Sequence, residues 1–204
     1  MNNLAATIAE ERPQTGTAGA DSLHRLVRPL SGWATIVADP PWEYPDGFTK
    51  QSRTPGKWKA KEERYYLAYP TLTVEEVCAM PIATLAADNC RLWLWATNRY
   101  LPDAFAVMRA WGFDYRQTLT WRKTDGNMGG SIAPNSEFLL VGVRGQPERK
   151  TRLKASVWDA PQSKRHSEKP ALFMDIIESV SPAPYLELFA RNRRLGWEAW
   201  GNEV

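Results

Sequence analysis

Residues 33–42 read WATIVADPPW. The first six, Trp33–Ala38, form a run of apolar and β-branched residues of the length expected for a strand covered on both faces. An acid, two prolines and a tryptophan follow. Proline has no backbone N–H and a fixed φ, so the strand must stop at Asp39, and the chain beyond it offers carbonyl groups only. Asp39 therefore stands at the carboxyl end of a buried strand. In open sheets with parallel strands, ligands bind just beyond such ends.

Further strand candidates lie at Arg91–Ala96, Tyr115–Arg122, Glu137–Val143, Tyr185–Ala190 and Gly196–Trp200, several of them near-continuous apolar runs. Helical segments separate several of them. TVEEVCAM begins with Thr73 and carries Glu76 three residues later, a capping-box spacing. LPDAFAVMRAWG has Pro102 in its first turn and Gly112 just past its end. KPALFMDIIESV starts at Pro170 and stops before Pro182. Strands alternating with helices predict an α/β fold with a mainly parallel sheet.

The 204 residues suit a single domain over 21–204, preceded by a mobile tail over 1–20 that lacks periodicity. No apolar run approaches the roughly 20 residues of a membrane span, and no signal-peptide pattern opens the chain, so a cytoplasmic location without membrane contact is expected. Two cysteines, Cys78 and Cys90, make no disulfide framework, and two histidines add too few ligands for a metal site, so no metal is expected. Of the ten tryptophans, most belong to the core and a few are candidates for stacking faces. The net charge of +3 is too mild to identify a partner, but its distribution is uneven. Basic residues crowd segments 50–64 and 144–169, and both lie in stretches without a regular pattern. Long irregular segments in a compact domain are usually functional or disordered, and basic ones can follow a phosphate backbone. Nucleic acid is the expected partner, through these two segments.

The chemistry of the quoted stretch supports that partner. A carboxylate accepts hydrogen bonds and does not donate, and the proline carbonyl beside it does the same. With the flat ring of Trp42 they complement a planar base carrying an exocyclic amino group, adenine or cytosine. Two acceptors gripping the amino hydrogens direct the nitrogen lone pair outward, toward an electrophilic methyl group held in line. The competing reading is a strand-ending turn in which Trp42 simply packs.

DPPW (Asp39–Trp42) resembles the catalytic motif of adenine-N6 methyltransferases, the family of the eukaryotic mRNA adenosine methyltransferase catalytic subunit and its bacterial and phage homologues. YPTLTVEEV (69–77), RLWLWATN (91–98), NSEFLLVGVRG (135–145), RHSEKP (165–170), YLELFAR (185–191) and GWEAWGNE (196–203) resemble family segments in the family's order. The resemblance implies a Rossmann-like class I methyltransferase fold, with helices on both faces of the sheet and the catalytic motif preceding the cofactor motif. It implies S-adenosylmethionine as cofactor and catalysis by Asp39, Pro40, Pro41 and Trp42. It places Tyr69, Trp121 and Glu137 on the substrate side. It assigns the cofactor to Asp21, Asp39, Lys169, Glu187, Leu188, Phe189, Arg191, Asn202 and Glu203. The likeness is closest to compact bacterial members, which favours DNA over RNA. Cytosine-N4 methylation and a non-catalytic nucleic-acid-binding subunit remain as alternatives, and the oligomeric state is left open.

Overall fold

The structure is a computed structural model that describes residues 23, 25–43, 71–125, 132–163 and 168–204. The proposed tail, Asp21, Tyr69 and the basic segment 50–64 lie outside the described residues.

In chain order the elements are β1 (Trp33–Ala38), α1 (Val74–Ala79), α2 (Ile82–Leu85), β2 (Ala86–Ala96), α3 (Leu101–Ala110), β3 (Asp114–Lys123), β4 (Ser136–Arg144), β5 (Val157–Ala160), α4 (Leu172–Val180), β6 (Tyr185–Leu188) and β7 (Trp197–Trp200). The strands form one sheet in the order β5-β3-β4-β2-β1-β6-β7. β1 lies parallel to both β2 and β6, β6 parallel to β7, and β3 parallel to β5. Only β4 runs against its neighbours β2 and β3. The sheet is thus mainly parallel, as the sequence pattern predicts, and β1 sits inside it with a partner on each side.

Alternation along the strands divides the core in two. Ile36, Ala38, Leu92, Leu94, Leu186 and Leu188 pack on one face with residues of α1 and α3. Val37, Trp93, Trp95, Leu139 and Val141 pack on the other with Phe173, Ile176 and Ile177 of α4. Helices therefore cover both faces. The capping box at the start of α1 is formed: Thr73 accepts from the Glu76 N–H at 3.2 Å, and the Glu76 carboxylate accepts from the Thr73 N–H at 2.8 Å. Such a cap contributes about 1 kcal/mol. The Trp111 indole N–H donates to Val77 O at 2.8 Å and ties α1 to the end of α3.

One expectation is corrected here. The segment 144–168 is not without regular structure, because it contains β5. VWDA alternates between exposed and covered positions and pairs at the sheet edge with β3, so no apolar run announces it.

Candidate active site

β1 ends as the two prolines dictate. The Pro40 carbonyl accepts the Trp42 N–H at 2.9 Å, closing a tight turn directly after Asp39. The Pro41 carbonyl accepts the Leu72 N–H at 2.9 Å, and Glu43 N–H donates to Leu72 O at 3.1 Å. Pro41 is thereby committed to holding the strand end against the segment before α1. Trp42 is 5% exposed and stacks on Tyr100, with ring centroids 5.0 Å apart and planes 10° from parallel. The expected open plate for a base is therefore corrected: this ring packs in the core and stiffens the turn.

Asp39 meets a row of alternating charges. Its Oδ2 accepts from Lys169 Nζ at 2.6 Å. Lys169 also approaches Glu137 Oε2 at 3.4 Å, and Glu137 Oε1 accepts from Lys123 Nζ at 2.7 Å. Burial is the largest influence on Asp39 and, with Glu137 nearby, holds its carboxyl above the usual range against the pull of Lys169. Burial also works to raise Glu137, but Lys169 and Lys123 together outweigh it and hold that carboxyl below its usual value. Lys169 is held above the ordinary lysine value, because Asp39 and Glu137 overcome the effect of burial. One ammonium is thus shared by two acids, and Glu137 has a second cation of its own.

Asp39 and Lys169 border a cavity of about 730 Å³ at the carboxyl ends of β1 and β6, roofed by the N-terminal part of α4. Asp39, Lys169, Glu187, Phe189 and Arg191 all line it, as do Trp95 and Phe173. Glu187 pairs in register with Val37 and so faces the α4 side of the sheet, whereas its neighbours Leu186 and Leu188 face the α1–α3 core. Burial, reinforced by Asp39, pushes the Glu187 carboxyl up to about 7. Leu188, expected at the cofactor site, is fully buried and does not line the cavity. This follows from the two-residue period of a strand: with Glu187 inward to the cavity, Leu188 points the other way. Phe189 leaves the strand with φ +61 and packs edge-on against Trp200.

The last strand brings WGNE alongside. The Ala190 N–H donates to Trp200 O at 2.9 Å, and a Cβ at Gly201 would collide with the Ala190 backbone, so only glycine permits this approach. It places Glu203 3.8 Å from Arg191. Asn202 is exposed and does not line this cavity. A partly buried acid at a strand end, cations beside it and an aromatic-walled cavity now stand together. The MT-A70 family model matches residues 33–203, nearly the whole described chain. The chain belongs to the MT-A70 family of adenine-N6 methyltransferases. It is 33% identical to the type II methyltransferase M.MunI of Mycoplasma sp over 186 residues, covering 86% of this chain and 79% of that protein. It is 30% identical to the human N(6)-adenine-specific methyltransferase METTL4, covering 83% of this chain but 37% of that protein. It is 26% identical to an N(6)-adenosine-methyltransferase MT-A70-like protein of Arabidopsis thaliana, covering 86% of this chain and 24% of that protein.

Within this MT-A70 domain the remaining expected residues divide. Glu137 reaches the site only through Lys169. Trp121 is 3% exposed, its indole N–H donates to Ala160 O at 2.9 Å, and it stands edge-on to Trp95, so it supports the cavity wall instead of lining it. In the basic segment 144–169, two cations make bonds within the fold. Arg144 donates to Ala83 O at 2.7 Å, and Lys150 donates to the Tyr185 hydroxyl at 2.7 Å and to Glu178 O at 3.2 Å. Both lie by the start of β6 or the N-terminal half of β2, at the sheet end opposite Asp39. Arg149, Arg152 and Lys154 remain exposed. Sequence reasoning missed Trp95 and Phe173, which read as ordinary core residues, and Lys123, whose partner Glu137 lies on another strand.

Proposed function

We propose that this chain is an S-adenosylmethionine-dependent methyltransferase acting on the N6 amino group of adenine in DNA. The observation that carries the reading is the position of Asp39: a carboxylate at a strand end, backed by a proline turn, opening on a cavity. The residues suit the cofactor. A volume of about 730 Å³ falls within the roughly 300–1,000 Å³ of small-molecule sites. Glu187 is a partly buried acid with no cation bonded to it among the described residues, suited to a positively charged or hydroxyl-bearing group. Lys169 and Arg191 suit a carboxylate, and Trp95, Phe173 and Phe189 suit flat apolar surface. When bound, S-adenosylmethionine supplies an electrophilic methyl carbon.

The chain's own part in the reaction is orientation. Lys169 occupies Asp39 Oδ2, while Oδ1 has no partner among the described residues and can accept one amino hydrogen of the target base. The Pro40 carbonyl spends one lone pair on Trp42 N–H and keeps a second for the other hydrogen. Both acceptors sit on backbone stiffened by Pro40–Pro41 and by the Trp42–Tyr100 stack. Because Asp39 is held above the usual carboxyl range, it is suited to take up the proton that the amine loses. A base in a duplex must first leave the stack, at a cost of a few kcal/mol. DNA is favoured because the type II methyltransferase matches over most of its own length. Incubation with cofactor and either DNA or RNA, followed by nucleoside mass spectrometry, tests the reading. It predicts N6-methyladenine from DNA; methylcytosine, or no product from any substrate, overturns it.

A further inference from the structure

We propose that Lys123 is a positioning residue for this site: by neutralising Glu137 it leaves the Lys169 ammonium to Asp39. The inference rests on the functional reading only in taking Asp39 as the reacting acid.

The four charged groups come from four parts of the fold. Asp39 ends β1, Lys169 precedes α4, Glu137 is in β4 and Lys123 closes β3. Glu137 pairs across the sheet with Trp121, so Lys123, two residues further along β3, shares its face and sits diagonal to it. Each lysine rests on a tryptophan. Lys123 Nζ lies 5.2 Å from the Trp121 ring centroid and Lys169 Nζ 5.4 Å from that of Trp95. The two rings stand edge to face, 6.3 Å apart. The paired rings thus fix the spacing of the two ammonium groups, with the Glu137 carboxylate between them.

The distances show the division of partners. Glu137 takes Lys123 at 2.7 Å and holds Lys169 only at 3.4 Å, while Lys169 takes Asp39 at 2.6 Å. Side-chain exposure rises along the row, from 11% at Lys123 and 12% at Glu137 to 16% at Lys169 and 24% at Asp39. The row therefore runs from the interior to the cavity. Without Lys123, the more buried Glu137 carboxylate would have no cation among the described residues except Lys169 and would draw it from the less buried Asp39. Lys123 itself does not line the cavity, and its ion pair is with Glu137, the residue that also approaches Lys169. Among the described residues, the other charged groups acting on Asp39 are Glu187 on β6 and Arg191 just after it, and neither is paired with Lys123.

The test reads Asp39 directly. Protein labelled with [13C]aspartate is titrated by NMR, and the Asp39 carboxyl signal is assigned by its loss in Asp39→Asn. In Lys123→Met the Asp39 titration should move up by about one pH unit. Lys123→Arg should restore it. In a Glu137→Gln background, removing Lys123 should move it hardly at all, because the competitor for Lys169 is gone. The acid limb of the methyl-transfer pH profile should follow the same pattern. An Asp39 titration unmoved in Lys123→Met, or a Lys123→Met shift that is the same in both backgrounds, overturns the proposal. If Lys123→Met does not fold, Lys123→Gln read in both backgrounds decides by the same criterion. The titration needs no substrate, so a protein that relays charge as described but transfers no methyl group would count against the functional reading alone.

Discussion

Replacing Glu187 with glutamine should make the cofactor-free protein more stable above neutral pH and leave it unchanged in acid. Burial and Asp39 raise this carboxyl from 4.5 to about 7. An acid with a raised folded-state pKa holds its proton better in the folded chain. Its contribution is therefore fully present below the unfolded value and is lost as pH climbs through about 7. At about 1.4 kcal/mol per pH unit, the loss approaches about 3 kcal/mol. Access of water from the cavity reduces this, so a gain of about 1–3 kcal/mol is expected for Glu187→Gln at pH 8.5, with none at pH 4.5. Urea unfolding of both proteins at the two pH values, without cofactor, measures it. The same variant should lose cofactor affinity by calorimetry, and wild-type affinity should rise with pH toward neutrality while that of the variant stays flat. A variant no more stable than wild type at pH 8.5, or equally stabilised at both pH values, would refute the account of Glu187 as an acid kept ready for a positively charged or hydroxyl-bearing group.

Asp39→Asn should lower turnover by about 10²–10³-fold, the usual loss when one oriented electrostatic contact to a reacting group is removed, while calorimetry shows cofactor affinity changing much less. Trp42→Ala should destabilise the protein by about 3–5 kcal/mol in urea unfolding, since its ring is packed against Tyr100. Were the ring instead an open plate for the base, stability would barely change. Lys150→Met should lower the melting temperature and leave the salt dependence of DNA binding as it is, because this cation is bonded to Tyr185 and α4, away from the site.

Much of this architecture can be read from the residues. Near-continuous apolar runs mark β1, β2, β4 and β6 because both faces of the sheet are covered. Thr73 and Glu76 mark the start of α1 because a cap is a local interaction. β5 escaped because an edge strand of alternating exposure carries no such run, and α2 because one turn of helix has no periodicity. The cavity was legible where the strand period sets direction: Glu187 faces it. The same period turns Leu188 away, a consequence the motif likeness obscured. Trp42 could be read as plate or packing, and only its neighbour Tyr100, 58 residues later in the chain, decides. The row from Lys123 to Asp39 was illegible in principle, since its four members lie in separate segments and meet only once β3, β4 and the approach to α4 are assembled. For a related reason, charge along the segment 144–169 does not show that Arg144 bonds to Ala83 O, or Lys150 to the Tyr185 hydroxyl and Glu178 O.

The most direct test is a structure of the protein with cofactor and a DNA oligonucleotide carrying the target adenine. The account predicts the N6 nitrogen within about 2.7–3.2 Å of both Asp39 Oδ1 and the Pro40 carbonyl oxygen, on the cavity side of the turn. A bound adenine whose amino group meets neither oxygen, with Asp39 still closed on Lys169 alone, would contradict it.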